Sequence, residues 1–272
     1  MSKVAVVTGS NKGIGLAIVR ALCKQYTGDV FLTSRNIERG EAAIKLLEGE
    51  GLKPKFHQLD IEDVKSIEAL RDSMVTSYGG IDVLVNNAGF AFKNASTVPF
   101  GEQAEVTIGI NYFSTLQECN ILLPHIKPGG RVVNVSSMAS QFSLKKCSPE
   151  LQSKFRSETI DYDELTALMN DFIEHAKKGN LRKSGYSNSA YGMSKVGVAV
   201  MSRIQARKLR EEGRNDILLN ACCPGWVRTD MAGPKATKSP DEGADTPVYL
   251  ALLPQESQLH GNFVSERVVN PW

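Results

Sequence analysis

Tyr191 and Lys195 are the residues of this chain whose types and spacing best suit proton transfer. They occur in the segment SAYGMSKVG, which begins at Ser189. On a helix, positions i and i+4 lie on the same face, so the phenol and the ammonium can approach a common point. A neighbouring positive charge favours the phenolate form of a tyrosine, whose ordinary pKa is about 10. The pair fits a tyrosine that moves a proton, although Tyr-x-x-x-Lys is also an ordinary surface pair on helices.

A second candidate site is the glycine-rich segment VVTGSNKGIGLA, which holds Gly9, Gly13 and Gly15. It lies between a β-branched run that predicts a strand and an amphipathic run that predicts a helix. Small residues let the backbone approach a phosphate, and a helix N-terminus offers free N–H groups to it. The segment lacks the Gly-Lys-Ser/Thr of a P-loop, which disfavours a triphosphate substrate, and its glycine spacing also differs from G-x-G-x-x-G.

The elements that must position these residues alternate between strand and helix. Two of the predicted helices run from roughly Glu102 to Leu123 and through Tyr191 and Lys195. The predicted strands are KVAVVTG, DVFLTSR, KPKFHQLDI, IDVLVNNAG, GRVVNVSS and DILLNACCPG. This order produces right-handed βαβ units and a parallel sheet covered on both faces. We therefore predict an α/β fold, with one doubly wound Rossmann-type domain spanning residues 1–272.

One segment interrupts the alternation, because 54 positions separate Ser137 from Tyr191. A connection between a strand and a helix usually takes about 2–6 residues. Ser148, Pro149 and Glu150 form a good helix start. An apolar stripe at helical spacing follows and ends before Gly179: Leu165, Leu168, Met169, Phe172, Ile173 and Ala176. A stripe of this kind needs a surface to pack on. We predict a helical insertion, approximately residues 141–185, packed onto the domain.

The composition argues against several classes of protein. The 272 residues are 42% hydrophobic and 23% charged, and 32 basic residues balance 30 acidic ones, so neither a nucleic-acid nor a membrane-surface partner is indicated. The N-terminus does not read as a signal peptide, and no apolar run reaches membrane-spanning length. We expect a cytoplasmic protein. The five cysteines form no C-x-x-C pair, so we expect free thiols and no metal site.

Five separate motifs resemble the short-chain dehydrogenase/reductase family. They are the T-G-x-x-x-G-x-G pattern from Thr8, NNAG at Asn86–Gly89, Asn111 in GINYF with Ser137 in NVSS, the Tyr-x-x-x-Lys pair, and CCPGWVRTDM. The resemblance implies that Asn111, Ser137, Tyr191 and Lys195 form a catalytic tetrad. It implies that Asn111 distorts its helix and holds a water that resupplies the proton, whereas a plain buried amide in a kinked helix is the alternative. A hydrolase nucleophile at Ser137 is disfavoured, since no G-x-S-x-G surrounds it.

The resemblance also implies an NADP cofactor. About 20 residues beyond the glycine cluster, an acidic residue favours NAD and an arginine accommodates the 2′-phosphate of NADP. Arg35 occupies that position, with Arg39 a turn further on and Lys12 in the glycine loop as additional candidates. Asp60 matches the family's adenine contact, and Thr229 its carboxamide contact. The full set expected to bind the cofactor is Gly9, Asn11, Lys12, Gly13, Ile14, Gly15, Arg35, Arg39, Asp60, Ile61, Asn87, Ala88, Gly89, Tyr191, Lys195, Pro224, Gly225, Val227 and Thr229.

Within the family, NKGIGLAIVRALC, FHQLDI, CSPELQSKFRSETI and the insertion itself are similar to the cytosolic carbonyl reductases. This similarity implies an NADPH-dependent monomer that reduces aldehydes, ketones and quinones with Tyr191 as general acid. The expected substrate pocket comprises Ser137, Phe142, Tyr191 and Trp226, although Trp226 equally fits a hydrophobic anchor. Cys223 is a candidate for reaction with electrophiles. The alternatives are a 20β-hydroxysteroid or prostaglandin dehydrogenase and a non-enzymatic NADPH-binding sensor or scaffold.

Overall fold

Eight strands form one sheet in this computed structural model, which describes residues 2–93 and 95–272. The strands are β1 (Val4–Val7), β2 (Asp29–Ser34), β3 (Lys55–Gln58), β4 (Ile81–Asn86), β5 (Ile126–Val135), β6 (Leu218–Cys223), β7 (Phe263–Ser265) and β8 (Val268–Asn270). Their order across the sheet is β3-β2-β1-β4-β5-β6-β7-β8. All neighbours are parallel except β7 and β8. The predicted doubly wound α/β fold is confirmed, with an antiparallel edge strand that the sequence analysis missed.

The helices on the sheet connect successive strands. They are α1 (Gly13–Gln25), α2 (Ile37–Gly49), α3 (Val64–Tyr78), α4 (Phe100–Ile108), α5 (Thr115–Leu122), α6 (Met138–Lys145), α7 (Pro149–Arg156), α8 (Tyr162–Lys177), α9 (Leu181–Ser184), α10 (Ala190–Glu211) and α11 (Pro240–Ala251). A π-helix, Gly109–Ser114, joins α4 to α5. Among the described residues, no helix combines the length and the apolar character that crossing a membrane requires.

The central strands read as continuous apolar runs because helices cover both faces of the sheet. All four residues of β1 are buried. Side chains alternate between the faces, so Ala5 and Val7 pack with α1, α2 and α11, whereas Val4 and Val6 pack with α3, α5 and α10. The core thus consists of two layers, one on each side of the sheet, and the polar strand ends lie at one edge.

The segment between β5 and α10 folds into four helices, α6 to α9. Ser148 caps α7, as its sequence predicts, and Asp161 and Glu164 form a reciprocal capping box at the start of α8. The apolar stripe of α8 is buried against α4 and α10, where Leu165, Met169 and Phe172 are fully enclosed. The stripe therefore does find a surface on the domain.

Helix α11 and the β7–β8 hairpin were not predicted from the sequence. Helix α11 had a readable signal, since Ser239 is its cap, Pro240 its first residue and Glu242 completes a capping box. The β7–β8 hairpin had no such signal in the sequence. Its turn residues Glu266 and Arg267 both have positive φ, of 52° and 60°, in place of the Asn-Gly type of sequence such turns favour.

Candidate active site

The predicted site residues lie mainly at one edge of the sheet, where the parallel strands end. The glycine-rich loop follows β1, Asn87 follows β4, Ser137 follows β5 and Pro224 follows β6. The connections leave β1 and β4 in opposite directions along the sheet, so a crevice opens between these two strand ends. This is the position at which open α/β sheets bind ligands.

Lys195 is fixed to the end of β5 by two hydrogen bonds. Its Nζ donates to the carbonyl oxygen of Val135 at 2.8 Å, and Ser136 Oγ donates to the Lys195 carbonyl oxygen at 2.9 Å. The Nζ lies 5.8 Å from the centroid of the Tyr191 ring. Helix α10 begins at Ala190, with the Ser189 side chain accepting from Gly192 N at 3.0 Å. The helix start thus places the phenol and the ammonium at the strand end.

Burial shifts the pKa values of Tyr191 and Lys195 in opposite directions. It raises the pKa of Tyr191 to about 12, although hydrogen bonding from Ser137 lowers it. It lowers the pKa of Lys195 to about 8. The pKa of Tyr191 is therefore raised, not lowered as expected from Lys195, because loss of solvent around the phenol is its largest cause. At neutral pH the phenol keeps its proton, which suits a group that acts as an acid.

Ser137 caps α6 and is held beside the phenol. Its Oγ accepts from Ala139 N at 3.1 Å, which fixes the hydroxyl oxygen. A hydroxyl group that accepts in this way still has its own proton to donate. Ser137 can therefore donate to an oxygen that also receives a proton from Tyr191.

Asn111 lies in the π-helix that interrupts the helix predicted from Glu102 to Leu123. Its Oδ1 accepts from Phe90 N at 2.7 Å, and its Nδ2 donates to the Phe90 carbonyl oxygen at 2.8 Å. The Nδ2 also donates to Ser194 Oγ at 2.9 Å. The distortion expected at Asn111 is present, and its side chain links the chain that leaves β4 to helix α10.

The NNAG segment brings the two halves of the crevice together. Thr8 Oγ1 accepts from Asn87 N and Ala88 N, each at 3.1 Å. Gly89 lies so close to the tetrad that a Cβ there would be 3.2 Å from Asn111 Oδ1 and 3.6 Å from Lys195 Nζ. Thr8, the first residue of the T-G motif, thus joins the two strand ends, and it was not among the predicted site residues.

The glycine-rich loop presents an uncapped helix end. Lys12 is the N-cap of α1 and makes no side-chain capping bond, unlike Asn36 and Asp63 at α2 and α3. Gly13 has a φ of +58°, and Thr229 Cγ2 would lie 3.2 Å from a Cβ there. The remaining loop candidates, Gly9, Asn11, Ile14 and Gly15, lie in the same turn and first helical turn. The free N–H groups and the close backbone suit a phosphate.

The predicted basic residues around this loop are exposed. Lys12 Nζ is 2.7 Å from Asp230 Oδ2, across from the glycine loop. Arg35 follows β2, and Arg39 lies in the first turn of α2, with its backbone N–H donating to Asn36 Oδ1 at 2.8 Å. Asp60 follows β3 half-buried, and Ile61 beside it is buried. These residues surround the outer side of the crevice.

The segment after β6 begins at the same edge of the sheet as the other site residues. Pro224 and Val227 are buried, and Lys238 folds back to pair with Val227. Trp226 is 54% exposed and Phe142 is 60% exposed, so neither is a buried anchor. The exposure of Trp226 favours the substrate-facing alternative over the core alternative.

Cys223 is less accessible than its candidacy for reaction requires. It is only 2% exposed, and its Sγ accepts from Gly225 N at 3.3 Å. All five cysteines are free thiols. The structure therefore argues against Cys223 as a readily modified residue.

The sheet order and the glycine-rich loop define a Rossmann-type dinucleotide-binding fold. Residues 3–155 match the family described as short chain dehydrogenase, and the chain belongs to that family. It is 64% identical over 271 residues to carbonyl reductase (NADPH) 1 of Homo sapiens and to that of Rattus norvegicus. Both matches cover 99% of this chain and 98% of the relative.

Two solved structures share the fold at lower identity. Salutaridine reductase from Papaver somniferum is 28% identical with a TM-score of 0.85, over 96% of this chain and 99% of that one. Menthone neomenthol reductase from Mentha piperita is 29% identical with a TM-score of 0.81, over 97% of this chain and 99% of that one.

Proposed function

We propose that this chain is an NADPH-dependent carbonyl reductase that converts aldehydes, ketones and quinones to alcohols, with Tyr191 as the general acid. The observation that carries the mechanism is the meeting of Ser137, Tyr191 and Lys195 at the ends of β5 and α10. The relatives named as NADPH carbonyl reductases, similar over nearly the whole chain, support the substrate class.

Each residue has a distinct task in the reaction. NADPH held in the crevice would supply the hydride, and hydrogen-bond donors of the site would stabilise the charge that develops on the carbonyl oxygen. Ser137 donates to this oxygen, and Tyr191 transfers its proton to it. Lys195 supplies positive charge near the phenol and, by family resemblance, binds the nicotinamide ribose. Asn111 supports the route by which the proton is replaced.

The residues around the crevice fit a dinucleotide. The uncapped start of α1 and the glycine backbone suit the pyrophosphate. Arg35, Arg39 and Lys12 are available for the 2′-phosphate, whereas Asp60 and Ile61 suit the adenine end. Asn87, Ala88, Gly89, Pro224, Gly225, Val227 and Thr229 would line the ribose and nicotinamide end. Phe142 and Trp226 offer apolar surface to the substrate.

Replacement of Tyr191 by Phe tests the mechanism. Tyr191→Phe removes only the hydroxyl, so we expect NADPH binding to persist while turnover falls by about 10²–10⁴, the range for a lost general acid. NADPH absorbance reports turnover, and quenching of protein fluorescence reports binding. Tyr26→Phe is the matched control, because the buried Tyr26 hydroxyl has no partner among the described residues. Near-normal turnover of Tyr191→Phe would remove Tyr191 from the mechanism.

The alternative functions predict different outcomes. A 20β-hydroxysteroid or prostaglandin dehydrogenase would turn over a 20-ketosteroid or a prostaglandin more efficiently than a quinone. A sensor or scaffold would bind NADPH but reduce no member of a carbonyl panel. We favour the reductase, because the Ser137, Tyr191 and Lys195 arrangement of a catalyst is complete.

We further propose that residues 141–185 are one insertion in a single domain of residues 1–272, and that the enzyme is a cytoplasmic monomer. The packing of α8 on α4 and α10 supports the monomer, since this is the surface through which other family members are expected to pair. The balanced charge of the chain supports the absence of a nucleic-acid or membrane partner.

A further inference from the structure

The hydroxyl of Ser194 connects two members of the tetrad. Ser194 follows Tyr191 by three residues, precedes Lys195 and is 0% exposed. Its Oγ accepts from Asn111 Nδ2 at 2.9 Å and donates to the Tyr191 carbonyl oxygen at 2.8 Å. We propose that Ser194 is a positioning residue for carbonyl reduction, which acts by orienting Asn111. The inference rests on the proposed catalytic role of Asn111.

The hydrogen bonds give the Asn111 amide a single orientation. Since the Ser194 proton is donated to the Tyr191 carbonyl, the hydroxyl oxygen faces Asn111 only as an acceptor. The amide NH₂ must therefore point to Ser194, and the amide oxygen to Phe90 N. A reversed amide would bring its NH₂ group against the Phe90 N–H and its oxygen against the Phe90 carbonyl. Ser194 thus adds a third hydrogen bond to the two that the amide makes with Phe90, and it uses the second N–H of the amide.

The orientation of the Asn111 amide affects the groups that take part in the reaction, because the amide lies close to them. The amide oxygen lies against Gly89, and the same point beside Gly89 is close to Lys195 Nζ. The bonds to Phe90 and Ser194 hold the Asn111 side chain in place within the π-helix. Loss of the Ser194 hydroxyl leaves a buried amide N–H without a partner, which favours a shift of the π-helix. Such a shift would move the groups beside Lys195.

Ser194→Ala tests this assignment. Small displacements in an active site cost up to about 10²-fold in rate, so we expect kcat to fall by about 10- to 100-fold. The KM for NADPH should change much less, because Ser194 is not expected to touch the cofactor. If proton delivery has become slower, the solvent deuterium isotope effect on kcat should rise. Ser194→Thr retains the hydroxyl oxygen and should restore most of kcat.

Ser202→Ala is a matched control on the same helix. Ser202 is also buried, accepts from a buried amide, Asn134 Nδ2, at 2.8 Å and donates to the Val198 carbonyl oxygen at 2.7 Å. Loss of the Ser202 hydroxyl should lower the stability of the protein as Ser194→Ala does, but it should leave kcat and the isotope effect unchanged. If Ser194→Ala does not fold, Ser194→Cys retains the volume with a weaker acceptor and should show a smaller loss of the same pattern.

Asn111→Ala separates failure of the inference from failure of the proposed site. If Asn111→Ala is slow and Ser194→Ala, or Ser194→Cys in its place, turns over normally, Ser194 is not a positioning residue and the tetrad stands. If both turn over normally, the role of Asn111 is wrong and the inference falls with it. Equal losses in Ser194→Ala and Ser194→Thr, or in Ser194→Ala and Ser202→Ala, would also overturn the inference.

Discussion

Arg35 occupies the position where one side-chain charge selects between the two nicotinamide cofactors. Its side chain is 70% exposed, and its Nη1 lies 3.7 Å from Glu62 Oε2. An exposed ion pair at this distance contributes little, so the guanidinium is free to turn to a 2′-phosphate. On the proposed assignment of Arg35, the preference for NADPH would depend on a side chain that the fold places but does not immobilise.

Arg35→Asp should weaken the binding of NADPH far more than the binding of NADH. A charge-assisted hydrogen bond contributes about 1.5–3 kcal/mol, or roughly 10- to 150-fold, and the new carboxylate adds repulsion. The measurement is the ratio of kcat/KM for the two cofactors. Arg182→Asp, an exposed change of equal charge on α9, is the control. An unaltered ratio in Arg35→Asp, or equal use of NADH by the wild type, would contradict the assignment of Arg35.

At the scale of elements, helix α5 buries a carboxyl group at a cost to the stability of the folded protein. Glu118 on its buried face is 0% exposed, and neither carboxylate oxygen has a hydrogen-bond partner among the described residues. Burial raises the pKa of Glu118 from its ordinary 4.5 to about 8. The folded protein therefore retains a proton that the unfolded chain has already released between these two values. In that window stability falls as the pH rises.

Glu118→Gln should remove this dependence. We expect the variant and the wild type to differ least in melting temperature near pH 4.5, and the difference to grow in the variant's favour as the pH rises to about 8. Calorimetry across this range measures it. Glu102→Gln, at an exposed position on α4, should show no such trend. A constant difference between Glu118→Gln and the wild type would mean that Glu118 is ionised in the folded protein.

At the scale of the whole molecule, the proposed monomer depends on the surface that the insertion covers. Helix α8 packs on α4 and α10, and Arg203 of α10 donates to the carbonyl oxygens of Phe155 and Arg156 at the end of α7. A symmetric interface needs the same patch free on both copies. The proposal of a monomer follows from this covered face.

We expect one molecular mass, that of a single 29.7 kDa chain, at all protein concentrations in light scattering with size-exclusion chromatography. The covered face leaves little apolar surface on α4 and α10 for a second copy. A stable dimer or tetramer would show that the molecule associates through another surface.

The sequence by itself determined the fold class and the edge at which the site forms. Strand runs such as VAVV are local patterns, and the motifs follow the ends of successive strands. In a parallel sheet these ends meet at one edge, so motif order alone brings Gly13, Asn87, Ser137 and Pro224 together. The family and the NADPH cofactor followed from the same residues and are confirmed, whereas the individual roles of the site residues stay predictions.

Only the tertiary structure decided the contacts, pKa values and turn conformations that depend on residues far apart in the chain. Ser194 contacts Asn111 across 83 positions, and burial by distant elements sets the pKa of Tyr191. The hairpin turn at Glu266 and Arg267 adopts positive φ angles that these residue types disfavour, and their ion pairs with Lys238 and Asp245 help to hold it. Desolvation and long-range hydrogen bonds arise only when the chain is packed, so no local pattern records them.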